Sequence, residues 1–579
     1  MTIDYMKPNL IPVRALSPQF TLPTLPTTPV SSRHLLLGQE RVLEAFQLAN
    51  QIPEQHLYLA DFPGIDRKRL FNALVEASTI PTTRYLVGSK KDNALHWLTD
   101  KPSDNIGIVA QQSQSHCYLS GSIRRTDLIG KMVTSSAGTT YHSGALATYH
   151  TVFICAESLW KRENLWDLLQ HILTERQYKV TDALGPIPLS CNVVLVGNSH
   201  LYSQLRAQDW QFHQNVPLLG EMASEIDLTR YKESDYAHWL QAIAQTIPAV
   251  IDSSALPALL NFASSQVEHQ QRLSLSMMDM IHLLSQANAV NPNQAISGSA
   301  IESALQKLRH RHNTSEMYSA QSFDDSFINL PTSGAMIGQV NGLTVIDTFD
   351  YSYGEPARIT ASVHYGDGEV ADIERKSELG GNIHAKGMMI LSACLYRIFG
   401  RDAPLHLNAN IVFEQSYQEI DGDSASLAEY CCLMSAIAEQ PIVQSLAVTG
   451  ALDQFGNVQA IGGVNEKISG FFNLCERRGL TGEQGVIIPK SNVLQLNLDK
   501  RIIDAIEQGQ FTLYQIEHMD EAVELLMQMP AGVADDDNDF PDDSLYGLVQ
   551  QRLDRLAGHL VEESGFFASL LAKLPFYRG

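Results

Sequence analysis

From Leu446 to Pro489 the chain reads as strand, turn, strand, helix and strand in quick succession, an order that few folds accommodate. Leu446-Ala447-Val448-Thr449-Gly450 is a short apolar run closed by glycine, Gly456-Asn457 reverses the chain, and a second strand ends at Ile461. Gly462-Gly463 then opens a helix whose apolar positions Val464, Ile468, Phe471, Phe472 and Cys475 recur at helical spacing. Arg477 and Arg478 fall in its last turn, and Gly479 suits a left-handed cap. Val486-Ile487-Ile488 follows as a further buried strand before Pro489. With the elements around it, this order reads as an α+β domain.

The segment before it carries candidate chemistry. Asp421-Gly422-Asp423-Ser424-Ala425-Ser426 leads into Leu427, Ala428, Cys431, Met434, Ile437 and Ala438 at helical spacing. Ser426 and Glu429 form a capping-box pattern and Gln440-Pro441 ends the run, so a helix is predicted to begin just after Asp423. A serine there lies beside unpaired backbone N–H groups and the positive end of the helix dipole, donors suited to an oxyanion. Lys467 falls in the first turn of the later helix, where a cation is electrostatically misplaced. With a reference pKa of about 10.4, only about one lysine in 2,500 is neutral at pH 7. A base with a pKa near 7 to 8 needs about 4 kcal/mol of differential stabilisation, and burial acts in that direction. Ser424 is thus a candidate nucleophile and Lys467 its base; the alternative is a capping serine and a structural lysine. The rival bases His384 and His406 have no carboxylate at a revealing spacing and read as surface or packing residues.

These boxes resemble the Lon protease family and its Ser–Lys dyad. The separation of 43 residues between Ser424 and Lys467 is similar to the family's, as is the G-G-x-x-E-K box around the lysine. Thr449, 18 residues before Lys467, occupies the V-T-G position whose hydroxyl orients the lysine amine in the family. The serine box reads D-G-D-S-A-S rather than D-G-P-S-A-G. That is similar to the archaeal-type branch, in which the acids matching Asp423 and Asp421 lie close to the dyad. The likeness runs from about Gly338 to Val523. It implies acyl transfer from peptide substrates, unfolded or misfolded polypeptides as those substrates, and a homohexameric ring.

Upstream the pattern is α/β. His56-Leu57-Tyr58-Leu59-Ala60 reads as a buried strand, and Asp61-Phe62-Pro63-Gly64-Ile65-Asp66-Arg67-Lys68 stands where a phosphate-binding loop would follow. That loop needs G-x-x-x-x-G-K-[ST], because bare backbone N–H groups cradle phosphate and the hydroxyl binds magnesium. Here Asp61 and Asp66 replace the glycines, Arg67 the lysine and Lys68 the hydroxyl residue. Thr151 to Glu157 resembles the strand that holds magnesium, with Ala156 in place of its aspartate and Glu157 at the water-activating position. Cys191 to Gly197 is another buried strand, and Asn198 stands at the polar sensor position. The half therefore resembles a degenerate AAA+ ATPase, with Pro63, Gly64, Arg67, Glu157 and Asn198 as remnants of its nucleotide site. An unrelated α/β domain and a working ATPase with unusual loops remain open. Arg272 reads as a surface arginine, with a lid sensor role as the alternative.

The fold expected is a multidomain α/β and α+β chain: a degenerate AAA+ α/β domain with a helical lid, then an α+β Lon-type proteolytic domain. The parts are a Pro/Thr-rich arm (1–33) strapped over the next domain, the AAA+ domain (34–230), the lid (231–312) and a polar linker (313–335). The proteolytic domain (336–530), an acidic linker and a C-terminal helix (531–579) complete it. Gly366-Asp367-Gly368 reads as a hairpin turn, and Asp535 to Asp543 as a solvated, disordered stretch. The formal charge of −23 argues against nucleic acid. Seven cysteines without C-x-x-C argue for a reducing compartment and no metal site. The lack of a signal-peptide core or long apolar run argues for a cytoplasmic protein without a membrane partner. No cofactor is expected for peptide hydrolysis, and the altered loop argues against ATP and magnesium. An ATP-driven protease and a non-enzymatic adaptor on the same scaffold remain as alternatives.

Overall fold

The computed structural model describes residues 9–558 apart from 27, 53–54, 79–81, 89–93, 103–106, 137, 248, 293, 349–350, 401–404 and 417–418. It divides into two compact units, one of residues 20–267 and 271–305, the other of 1–19, 268–270 and 306–579.

In the first unit, strands β1 (Leu57–Asp61), β2 (Gln114–Leu119), β3 (Tyr149–Cys155), β4 (Asn192–Asn198) and β5 (Leu218–Glu221) form one parallel sheet in the order β5-β1-β4-β3-β2. The central strands are buried along nearly their whole length, which is why they read as continuous apolar runs. Helix α1 (Arg67–Glu76) follows β1. Four further helices, α2 (Glu233–Ala244), α3 (Leu256–Ser265), α4 (Met277–Val290) and α5 (Gly298–His312), make up the lid region.

The second unit holds a seven-stranded mixed sheet. Its strands are β6 (Gln339–Thr348), β7 (Tyr351–Tyr365), β8 (Val370–Asp372), β9 (Leu407–Glu414), β10 (Leu446–Val448), β11 (Gly485–Pro489) and β12 (Thr512–Ile516). They lie in the order β8-β9-β7-β6-β10-β11-β12, and the run β6-β10-β11-β12 is parallel. Helices α6 (Asn382–Phe399), α7 (Ser426–Ala438), α9 (Met519–Met527) and α10 (Leu545–Ala557) share one apolar core. Helix α8 (Val464–Arg478) belongs to a second core with Leu343, Val486 and Leu513. Among the described residues no helix is long and apolar enough to cross a membrane.

Four sequence expectations differ from what is seen. The arm is divided: Leu25 is buried in the core of the first unit, whereas Leu10 bridges to Tyr514 and the Ile11 N–H donates to the Leu513 carbonyl at 3.0 Å. Gly366-Asp367-Gly368 is not a hairpin turn, because β8 pairs with β9 in parallel, and Asn408 Oδ1 accepts the N–H groups of Asp367 and Glu369. The polar linker contains a helix over Thr314–Asp324, held by Glu316 to the Tyr351 hydroxyl and Ser319 to Glu355 rather than by an apolar stripe. The acidic stretch folds back on itself, with Asp535 Oδ1 accepting the N–H groups of Asp537 and Asp539. Phe540 then packs on Phe399 and Tyr546. In the C-terminal helix Leu545, Val549 and Leu553 are buried; Phe566 and Phe567 lie outside the described residues.

The crossing of β7 and α8 is backbone against backbone. A Cβ on Gly354 would stand 1.9 Å from the Glu466 carbonyl oxygen and 2.7 Å from the Lys467 nitrogen, and one on Gly470 would meet the Gly354 carbonyl at 2.2 Å. The absence of side chains at both positions sets the height of the first turn of α8. Gly354→Ala is expected to destabilise the protein by about 1–3 kcal/mol. A lowered thermal transition would register this, whereas an unchanged one would count against the close crossing.

Candidate active site

The chain enters the site along β9 and leaves it along α7. The helix begins at Ser426, two residues later than its pattern suggests, with Ala425 as the cap residue and no capping side chain. Ser424 therefore occupies the turn before the helix and is not its cap. Ser426 does not form a capping box with Glu429. Its hydroxyl donates to the Asp423 carbonyl at 2.8 Å and accepts the Leu452 N–H at 3.0 Å. Those bonds tie the serine turn to the hairpin that follows β10.

The starts of α7 and α8 meet beyond the carboxyl end of β10, at Thr449. Gly463, with φ of +63°, caps α8 in the left-handed conformation and delivers Lys467 within its first turn. Lys467 Nζ stands 2.8 Å from Ser424 Oγ and 3.3 Å from Thr449 Oγ1. The Thr449 hydroxyl donates to the Ser424 carbonyl at 3.2 Å, and the Gly450 N–H donates to the same oxygen at 2.9 Å. Thr449 thus touches both members of the pair. The Ser426 and Leu427 N–H groups are spent on the carbonyls of Asp423 and Gly450. Those of Ser424 and Ala425 are left without an acceptor among the described residues. The free donors lie in the turn rather than in the helix itself.

Lys467 is only 3% exposed. Burial lowers its pKa from 10.5 to about 8, against the pull of the Asp423 charge, which favours the ammonium. At pH 7 roughly one molecule in ten then carries the neutral amine that a base requires. Asp423 accordingly acts on the lysine in the opposite sense to burial. Asp421 is occupied elsewhere: its Oδ1 accepts the Ile383 N–H at 3.1 Å and the Gly422 N–H at 3.0 Å, which fastens the serine box to the start of α6.

The residues expected at the nucleotide site are engaged within the protein. Arg67 Nε meets Asp61 Oδ2 at 2.7 Å, its Nη1 meets the Tyr118 hydroxyl at 3.0 Å, and its Nη2 lies 3.7 Å from Glu157 Oε2. Glu157 also accepts from Cys155 Sγ at 3.1 Å. Asn198 Oδ1 caps the helix over Ser199–Gln208 by accepting the Leu201 N–H. Asp66 caps α1, Pro63 is exposed, and the Gly64 carbonyl accepts the Met278 N–H. Arg272 pairs with Glu225 at the surface.

Sequence reasoning missed the surroundings of His384. That side chain is 1% exposed and lies against Asp372 and Glu429. The signal available was Glu429 itself, an acid on the buried face of an apolar helix, which read instead as a capping partner. His406 stacks on Tyr365.

Comparison with known proteins gives the family. Residues 403–529, which contain Ser424, Thr449 and Lys467, match the Lon protease (S16) C-terminal proteolytic domain. A Lon protease homolog of Haemophilus influenzae is 35% identical over 417 residues, 70% of this chain and 69% of its own length. The chain belongs to the Lon protease family. Other parts of this Lon-family chain match the LonB-like AAA domain (residues 104–222) and the AAA+ ATPase LID domain of archaeal LonB (residues 250–311). A Lon protease homolog of Escherichia coli is 35% identical over 396 residues, covering 65% of this chain and 67% of its own. The archaeal Lon protease of Archaeoglobus fulgidus is 30% identical over 198 residues, covering 34% and 29%.

Two outcomes follow for the lysine. Asp423→Asn removes the charge that favours the ammonium, so the acid limb of the pH–rate profile should move to lower pH by up to about one unit. An unmoved limb would show that Asp423 does not act on the base. Because the folded-state value lies below that of the free side chain, the buried ammonium costs stability at every pH below about 8, and the cost disappears above 10.5. Lys467→Met should therefore stabilise the fold at pH 7 by up to about 3 kcal/mol, read as a raised thermal transition, while abolishing cleavage.

Proposed function

We propose that this Lon-family protein is a serine endopeptidase that cleaves unfolded polypeptides through Ser424 and Lys467, without a working ATP motor. The observation that carries the reading is the 2.8 Å contact between Ser424 Oγ and a buried lysine amine whose pKa is lowered to about 8. The neutral Lys467 amine takes the Ser424 hydroxyl proton as Oγ attacks the peptide carbonyl carbon. The Ser424 and Ala425 N–H groups stabilise the resulting oxyanion. The Lys467 ammonium returns its proton to the leaving amine, the C–N bond breaks, and an ester remains on Ser424. The amine then takes a proton from water, the hydroxide adds to the ester, the C–Oγ bond breaks, and the Lys467 ammonium returns the proton to Ser424 Oγ as the acid is released. Thr449 fixes the amine in line with Oγ throughout.

The nucleotide-site residues do not fit a magnesium-bound triphosphate. Arg67, in the position of the phosphate-binding lysine, is paired with Asp61. No hydroxyl follows it at Lys68, and Ala156 replaces the metal-holding carboxylate. Two carboxylates, Asp61 and Asp66, would face the phosphates. A protein with no motor acts on chains that are already unfolded and leaves folded substrates intact.

Casein cleavage by the wild type and by Ser424→Ala, with and without ATP and magnesium, tests both halves. The expected result is a loss of about three orders of magnitude or more in Ser424→Ala and no nucleotide effect in the wild type. Undiminished cleavage by Ser424→Ala would defeat the dyad, and a strict ATP requirement would defeat the motor-free reading.

A further inference from the structure

Beneath the serine turn lies a buried group of ionisable side chains that the mechanism above does not use. His384 Nε2, on the first turn of α6, is 3.0 Å from Asp372 Oδ2 at the end of β8 and 3.8 Å from Glu429 Oε1 on α7. None of these three atoms has a hydrogen-bond partner of good geometry among the described residues, so what joins them is charge at close range in a buried place. His384 and Glu429 are each 1% exposed. Glu374, also buried, adds a third carboxyl and accepts the Phe413 N–H at 3.0 Å. The Phe413 ring packs edge-on against the imidazole. The groups facing His384 are therefore Asp372 and Glu374 from the segment before α6, Glu429 from α7 and an aromatic ring from β9.

The start of α6 and the residues just before it hold the nucleophile's loop at three other points. The Gly381 N–H donates to the Ile420 carbonyl, the Ile420 N–H donates to the Leu379 carbonyl, and Asp421 accepts the Ile383 N–H. One helical turn beyond His384, a Cβ on Gly387 would stand 3.3 Å from Asp423 Cα and 3.7 Å from Ser426 Cβ. On the facing helix, Ser426 and Glu429 are likewise one turn apart. Besides the apolar core that α6 and α7 share, the starts of the two helices meet through His384 against Glu429 and Gly387 against the serine turn. Unpairing His384 or Glu429 leaves a buried polar side chain uncompensated.

We propose that His384 is a positioning residue for the peptidase: wedged between Asp372 and Glu429, it clamps the start of α6 to α7 and so fixes the turn that presents Ser424. Its catalytic consequence rests on the Ser424–Lys467 reading; its structural half does not. Burial disfavours the imidazolium, but Asp372, Glu429 and Glu374 favour it more strongly, and the net shift of His384 is upward. Burial pushes the Glu429 carboxyl up to about 7, with His384 opposing. Once His384 loses its proton a neutral ring faces the carboxylates, so the clamp loosens towards alkaline pH. Lys467 becomes a base by the same loss of a proton, so the two deprotonations act on reaction at Ser424 in opposite senses.

The test uses the full chain with His384→Gln and Glu429→Gln. Two readouts are taken from neutral to alkaline pH: amide hydrogen exchange over residues 420–427, and the rate at which a fluorophosphonate labels Ser424. In His384→Gln, exchange over 420–427 should quicken on the order of tenfold while β10 to β12 stay as in the wild type, and labelling should slow on the order of tenfold to a hundredfold. Glu429→Gln, which keeps the side chain's shape, should move the alkaline fall in labelling to lower pH and leave the rising limb in place. Wild-type exchange and a wild-type alkaline limb in both variants would overturn the clamp. A wild-type serine that takes no label would defeat the dyad reading and the catalytic consequence with it. Unchanged exchange defeats the clamp whether or not the serine reacts.

Discussion

An amine can take a proton from a hydroxyl only where the protein makes the ammonium costly, and burial in the C-terminal unit does this to Lys467. Lys467 sits between two hydroxyl oxygens in a place almost closed to water. Desolvation is the largest influence on its protonation. That setting depends on α8 starting at the correct height, which the Gly354–Gly470 crossing and the Gly463 cap provide. It also depends on Thr449 leaving the end of β10 with its side chain turned towards the amine. The sheet is thus a frame that brings two helix starts to one point, as the carboxyl ends of parallel strands commonly do.

The two units treat charge in contrasting ways. In the C-terminal unit a cation is buried with two neutral hydroxyls as its nearest partners, so its proton is held loosely. In the first unit Arg67 is surrounded by Asp61, Tyr118 and Glu157, so its charge is fully answered from within. The first arrangement keeps a reactive group available. The second leaves a charged group with its partners already in place.

Local pattern and spacing carried much of this in the sequence. The glycine-bounded run at Leu446–Gly450 and the helix from Val464 follow from period and caps that depend on neighbours only a few residues away. The meeting of Ser424, Thr449 and Lys467 was legible because family resemblance linked three short boxes; periodicity alone left a capping serine open. What stayed hidden involves partners distant in the chain. Nothing near His384 announces Asp372 or Glu429, since each lies on a different element. Gly366–Gly368 looks like a hairpin locally, and only the parallel pairing of β8 with β9 decides otherwise. The polar helix over Thr314–Asp324 is held by side chains from β7, which no local period can reveal. Asp535 shows the converse: a charged run looks solvated until its own backbone is seen to satisfy it.

The first described residues finish the last strand of the large sheet. Leu10 bridges to Tyr514, and Asn9 Nδ2 donates to Glu521 across 512 residues of chain. During synthesis that stretch therefore waits for its partner until β12 has left the ribosome, roughly half a minute to two minutes at about 5–20 residues per second. Until then the backbone of residues 9–11 has no partner strand, and unpaired backbone of this kind is where other chains pair. The pairing therefore forms only once β12 has emerged, and the interval before it is when a chaperone would have most to protect.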